Sequence, residues 1–136
     1  MSTPNTLNLE TATRLITAGQ QAAREIGVAM NIAVVDTAGN LVAFQRMDGA
    51  WLGSLDVALR KAKTSALFPL PSAVLGEMSQ PGGPIYGIEG TNGGLVTFGG
   101  GLPLAATDGT VVGAVGVSGG MVDQDVTVAE AAAKAL

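Results

Sequence analysis

The 136-residue chain contains no histidine and no cysteine. Without histidine it has no Ser-His-Asp triad, no imidazole zinc site and no histidine-ligated haem. Without cysteine it has no thiol nucleophile, no thiolate metal site and no disulfide. Charge is also scarce: 13% of residues are charged, against about 25% in ordinary soluble domains. So few solvated groups cover a small domain poorly, which predicts a homo-oligomer. A net charge of −4 makes nucleic acid a poor partner. No run approaches the roughly 20 apolar residues of a membrane span; the longest candidate, Val111–Val117, is interrupted by Gly113 and Gly116. The opening MSTPNTLNLE has neither the basic nor the apolar stretch of a secretory leader, so the expected location is cytoplasmic.

Apolar residues are plentiful at 47%, enough for the core of one domain spanning residues 1–136. Leu9, Ala12, Leu15, Ile16, Ala22, Ala23 and Ile26 recur at helical spacing, with Asn8 placed to cap the start and Gly27 to stop the helix. Val28–Asp36 and Leu41–Met47, joined through Thr37-Ala38-Gly39-Asn40, predict a β-hairpin. Ser54 is placed to cap a second helix whose buried stripe is Leu55, Ala58, Leu59, Ala62 and Ala66, with Lys61, Thr64 and Phe68 on another face. Pro69 and Pro71 end it and start a short helix near Ser72–Met78.

Residues 79–94 hold six glycines and two prolines. Ile85, Tyr86 and Ile88 within that stretch argue that the loop docks on the domain. Leu95–Phe98, Leu102–Ala106 and Thr110–Ser118 are expected as strands, the last two turning at Asp108-Gly109. Pro103 places its strand at an edge or bulge, while Val111–Val117, lacking polar alternation, belongs in the centre. A last helix, with Val126, Ala129, Ala133 and Leu136 inward, runs to Leu136. The fold class that follows is α+β, with a five-stranded, mostly antiparallel sheet flanked by helices.

Four of the seven basic residues, Arg46, Arg60, Lys61 and Lys63, lie close together in the sequence, and none separates Lys63 from Lys134. That cluster is either a solvated face or the wall of a site for an anion. Gly116-Val117-Ser118-Gly119-Gly120 spells the G-x-S-x-G of a nucleophile elbow, but no histidine is present to serve as base. A tight strand-to-helix turn whose N–H groups hold an anion is the better reading. Asp123 and Asp125 in a first helical turn are helix-capping carboxylates before they are metal ligands, and no metal is expected.

In combination, IAVVDTAGNLVAFQRMDGA at 32–50, KAKT at 61–64, PGGP at 81–84, GGLVTFGGG at 93–101 and GAVGVSGG at 113–120 resemble the GlcG/HbpS family of haem-binding-like proteins and the C-terminal domain of PduO-type proteins. The resemblance covers nearly the whole chain. It implies a profilin-like or PAS-like α/β/α domain, a tight dimer, and assembly to tetramers or octamers. It also implies haem binding in some relatives and a place in the catabolism of small carboxylates or aromatic compounds in others. The family's signature arginine and Asp-Gly-Ala fall on Arg46, Asp48, Gly49 and Ala50, and its lysine and threonine on Lys61 and Thr64.

Three functional readings stay open. In the first, the chain binds a small anionic molecule, an unsaturated or aromatic-derived carboxylate, and acts on it by acid/base or hydrolytic chemistry without a cofactor. Arg46 then clamps the carboxylate, Lys61 adds positive charge, Thr64 and Tyr86 contact the ligand, N–H groups near Gly100 or Gly119 face developing negative charge, and Glu89 moves the proton. In the second, the chain is a haem-binding or redox-sensing protein, with Tyr86 or a methionine available to ligate iron in place of the missing histidine. In the third, it is a ligand-free assembly module.

Overall fold

The structure, a computed structural model, describes residues 7–136. The leader-free reading of the opening segment rests largely on residues 1–6, outside the described residues. The first helix, α1 (Leu9–Ile26), begins where the Asn8 side chain accepts a hydrogen bond from Thr11 N at 2.8 Å and ends at Gly27, which adopts the left-handed conformation with φ 73°. The apolar stripe buries Ala12, Leu15, Ile16 and Ala23, but Leu9 and Ile26 at its two ends are exposed, past the edge of the core.

Strands β1 (Asn31–Val35) and β2 (Leu41–Arg46) form the expected antiparallel hairpin. Asp36 fixes its turn by accepting from the Ala38 and Asn40 N–H groups, both at 2.9 Å. Helices α2 (Gly53–Leu67) and α3 (Ser72–Met78) follow, then β3 (Gly101–Ala105), β4 (Val111–Ser118) and α4 (Val122–Lys134). The sheet is antiparallel in the order β2-β1-β4-β3, so Pro103 lies on an edge strand and β4 is central.

Helices cover both faces of the sheet. Ile32, Val34, Val115 and Val117 pack with Leu15 and Ile16 of α1 and Val128, Ala129 and Ala132 of α4. Ala33, Val35 and Ala114 on the opposite face pack with Ala62 and Ala66 of α2. Each large aliphatic side chain so buried contributes about 1.5–3 kcal/mol. Double coverage explains why β4 lacks polar alternation. It also explains Gly116: a Cβ there would lie 2.2 Å from the Ala58 carbonyl oxygen and 2.4 Å from Ala62 N. The backbone of α2 rests directly on the strand.

Four features correct the sequence reading. Among the described residues the sheet has four strands, not five, because Leu95–Phe98 finds its hydrogen bonds elsewhere: Val96 N donates to Thr64 Oγ1 at 3.0 Å, and the Phe98 carbonyl accepts from Ser72 Oγ at 2.7 Å. Ser54 lies inside the first turn of α2 rather than capping it, since its hydroxyl donates to the Trp51 carbonyl and accepts from Asn31 Nδ2. Lys61 and Thr64 are fully buried rather than open to a ligand, because the 95–101 segment and α4 close over them. Helix α4 is turned so that Asp125, Val128, Ala129 and Ala132 are buried, whereas Val126 and Ala133 are half-buried and Leu136 is exposed.

The glycine-rich stretch is held by its backbone carbonyls and amides more than by its apolar residues, since Tyr86 is exposed and Ile85 and Ile88 are half-buried. Ile85 N donates to the Met78 carbonyl at 3.1 Å and Leu95 N to the Glu89 carbonyl at 3.0 Å. From α2, Arg60 donates to the Gly93 and Gly94 carbonyls and Lys63 to the Asn92 carbonyl. Among the described residues no helix is long and apolar enough to cross a membrane.

Candidate functional site

The start of α2, the Phe98 segment and the β4–α4 turn converge around a cleft of about 450 Å3, within the usual range of roughly 300–1,000 Å3 for small-molecule sites. Trp51, Val57, Phe98 and Val122 form apolar walls, and Ser54, Ser118, Gly119, Gly120 and Asp125 supply the polar part of the lining. Trp51 is 70% exposed and Phe98 47%, so two aromatic rings stand at the opening with most of one and half of the other unburied. Large apolar groups left this bare on a small domain mark a binding surface.

Behind the cleft lies a buried ion pair. Lys61 Nζ donates to Asp125 Oδ2 at 2.9 Å and to the Val117 carbonyl at 2.9 Å, with the Phe98 ring centroid 5.0 Å away. Asp125 Oδ1 accepts from Gly120 N at 2.9 Å. Both partners are almost wholly removed from water. Burial pushes the Lys61 ammonium below its usual range, against the hydrogen bond and charge of Asp125. Burial likewise pushes the Asp125 carboxyl up, against the opposing influence of Lys61 and the Gly120 and Gly119 N–H groups. The pair ties α2 to the β4–α4 turn, and so fixes the distance between two walls of the cleft.

The residues singled out from the sequence do not gather around one cavity. Arg46 is exposed on the edge strand, in a separate shallow depression with Gln20, Arg24, Met47 and Asp48. Glu89 is exposed and accepts from Thr97 Oγ1 at 3.2 Å, and Tyr86 is 67% exposed; neither lines the cleft. Thr64 is a structural link, donating to the Arg60 carbonyl at 2.6 Å while accepting from Val96 N. Gly100 packs against the buried lysine so closely that a Cβ would lie 2.6 Å from Nζ. Gly119 alone of these lines the cleft, and Lys61 stands just behind it. The expected convergence of cations is absent because each has a partner or a place elsewhere: Lys61 with Asp125, Arg60 with Asp56 and the loop, Lys63 with the loop.

Trp51, Val57, Phe98 and Val122 were not legible as site residues. One signal was available for Trp51: a large apolar pair, Trp51-Leu52, placed just ahead of a helix start has no core to enter.

Comparison with known proteins agrees with this architecture. A family described as "Haem degrading protein HbpS-like" matches residues 7–134. An uncharacterized 15.0 kDa protein of Citrobacter freundii, from the dhaT-dhaS intergenic region, is 42% identical over 128 residues, which is 93% of this chain and 89% of that protein. The crystal structure of the Klebsiella pneumoniae protein ORFY superposes with a TM-score of 0.91 at 38% identity, covering 95% of this chain and 89% of that one. A structure described as a PduOC:Heme complex superposes with a TM-score of 0.90 at 33% identity, covering 96% and 95%. With a family match over nearly its whole length, and close relatives in both sequence and structure, this chain belongs to the HbpS-like family.

Proposed function

We propose that this protein binds a flat, amphipathic ligand of the tetrapyrrole class, haem foremost, in the cleft between α2 and the β4–α4 turn. The observation that carries the reading is the pair of partly bare aromatic side chains, Trp51 and Phe98, walling an apolar cleft of about 450 Å3. Two rings and two valines offer the broad, non-directional contact that a macrocycle needs. A relative of the same fold, 33% identical, is described as a haem complex, which supports the ligand class.

The fit is to the macrocycle rather than to a strongly ligated iron. Among the described residues the lining holds no imidazole, thiolate, thioether or phenol, and its one carboxylate, Asp125, is engaged by Lys61. Trp51, Val57, Phe98 and Val122 would hold the ring system; bound haem would supply redox-active iron. Acid/base chemistry on a small carboxylate finds less support, because Glu89 and Tyr86 stand away from the cleft. A contact with a second copy through Trp51, Leu52 and Met121, all exposed, would fit the low charge content; light scattering at micromolar concentration tests it.

Trp51 is the only tryptophan, so its fluorescence reports on the cleft directly. Haem and metal-free protoporphyrin IX should both quench it, with dissociation constants within about tenfold of each other if the macrocycle supplies most of the binding energy. Phe98→Ala should weaken both by about tenfold or more, through loss of aromatic contact. The absence of quenching and of any Soret change on haem titration would remove this reading.

A further inference from the structure

We infer that Asp125 is a specificity-determining residue: its carboxylate fills an anion site inside the protein, so the cleft accepts its ligand by an apolar edge and leaves ligand carboxylates facing solvent. This inference rests on the proposed cleft and deepens it by naming which edge of the ligand is buried.

The groups around Asp125 are those that would bind an external carboxylate. Gly120 and the first residue of α4, Val122, line the cleft, so the positive end of the helix dipole lies at its wall. Lys61 adds a full positive charge behind them, with no exposure to water. Left open, these elements would select an anion. The chain instead places its own acid there, on the first turn of α4, where one oxygen takes Gly120 N and the other takes Lys61 Nζ, each at 2.9 Å. The remaining donor of Lys61 that the structure resolves goes to the Val117 carbonyl.

The side-chain donors of the lining are the hydroxyls of Ser54 and Ser118 and the indole N–H of Trp51, and none carries a charge. Ser54 Oγ donates to the Trp51 carbonyl, and Ser54 N also bonds to that carbonyl, at 3.1 Å. Asn31, buried beside Ser54, gives its amide N–H to Ser54, and its Oδ1 has no partner among the described residues. No arginine or lysine lines the cleft. A carboxylate pushed in would lose its water and meet acceptors and a charge already neutralised, which is costly. A tetrapyrrole with acids along one edge escapes that cost by entering with the other edge, and one with acids all around cannot.

The experiment has two arms. In the first, Trp51 quenching is measured for protoporphyrin IX, its dimethyl ester and the octacarboxylate uroporphyrin with the wild-type chain. The expected result is that the ester binds within about threefold of the free acid, since outward carboxylates contribute little when solvated, and that uroporphyrin does not bind. An ester bound more than about tenfold more weakly than the acid would show a buried carboxylate contact and overturn the inference while leaving the cleft reading intact. In the second arm, Asp125→Ala opens the anion site, and acetate or formate is added as the missing carboxylate. The melting temperature of Asp125→Ala should rise with acetate while those of the wild type and of the double variant Lys61→Met/Asp125→Ala should not. If Asp125→Ala does not accumulate folded, its refolding yield from urea with and without formate gives the same readout. No response of Asp125→Ala to either anion would overturn the inference. Should no porphyrin quench Trp51 at all, the cleft reading fails, and the acetate arm still decides whether Asp125 occupies an anion site.

Discussion

The Phe98 ring centroid lies 5.0 Å from Lys61 Nζ, so one aromatic side chain both walls the cleft and roofs the buried cation behind it. The cleft and the ion pair therefore form one unit, and disturbing either should be felt in the other.

Breaking the pair from one side should be severe. Lys61→Met leaves the Asp125 carboxylate buried without its cation, and the expected loss is about 3–5 kcal/mol. Lys61→Met with Asp125→Asn removes both charges and keeps an acceptor for Gly120 N–H, so the double variant should be more stable than the sum of the single losses. Urea denaturation of all four proteins closes the cycle; simple additivity would mean that the two side chains are not coupled in solution.

The β3–β4 turn carries a pH dependence. Thr110 N donates to Asp108 Oδ1 at 2.9 Å, and this hydrogen bond holds the Asp108 carboxyl below its usual value of 3.8. A carboxyl with a lowered folded-state pKa releases its proton more readily when folded. It therefore contributes stability that is fully present above pH 3.8 and is lost as the pH falls through the folded pKa. Asp108→Asn preserves the turn shape without the charge. The stability gap between wild type and this variant should be constant near neutrality and shrink below pH 3.8, as followed by thermal melts across an acid series.

Docking of the glycine-rich loop depends on two cations of α2. Arg60 and Lys63 bond to the carbonyls of Asn92, Gly93 and Gly94, with the Arg60–Asp56 pair exposed and of little weight by itself. Replacing both by alanine should cost about 1–2 kcal/mol of local stability in residues 85–95 and leave the sheet intact. Hydrogen exchange read by peptide would show faster exchange in that loop alone; unchanged loop exchange would contradict the arrangement.

At Gly116 the prediction concerns shape. An added methyl group would meet the backbone of α2 at Ala58 and Ala62, neither of which can swing aside. Gly116→Ala should destabilise the fold by about 1–3 kcal/mol through overpacking, and because Trp51 leads into α2 and Ser54 and Val57 lie in its first turns it should also weaken porphyrin quenching. A variant as stable as wild type would mean that α2 shifts freely on the sheet.

Local chemistry made much of the fold readable before any coordinates. The Asn8 cap and Gly27 stop of α1, the Thr37–Asn40 and Asp108-Gly109 turns, the proline break between α2 and α3, the edge position of Pro103 and the central β4 all follow from short-range rules of backbone geometry and periodicity. The family likeness was carried by the same glycine and hairpin segments, and it holds over residues 7–134.

What the tertiary structure alone decided was where polar groups find their partners. Nothing within residues 95–98 reveals that Val96 N will bond to a threonine 32 positions earlier instead of to a strand, so by composition alone the segment reads as a fifth strand. On α4, Ala129 is inward as its spacing implies, but the inward position near the helix start belongs to Asp125 instead of Val126, and an acid is placed in a core only when its cation arrives from elsewhere, here from Lys61, 64 positions away. Periodicity reports which residues avoid water on their own account; a buried ion pair reverses that preference through a long-range contact, and the cleft it supports becomes visible only once the chain has folded.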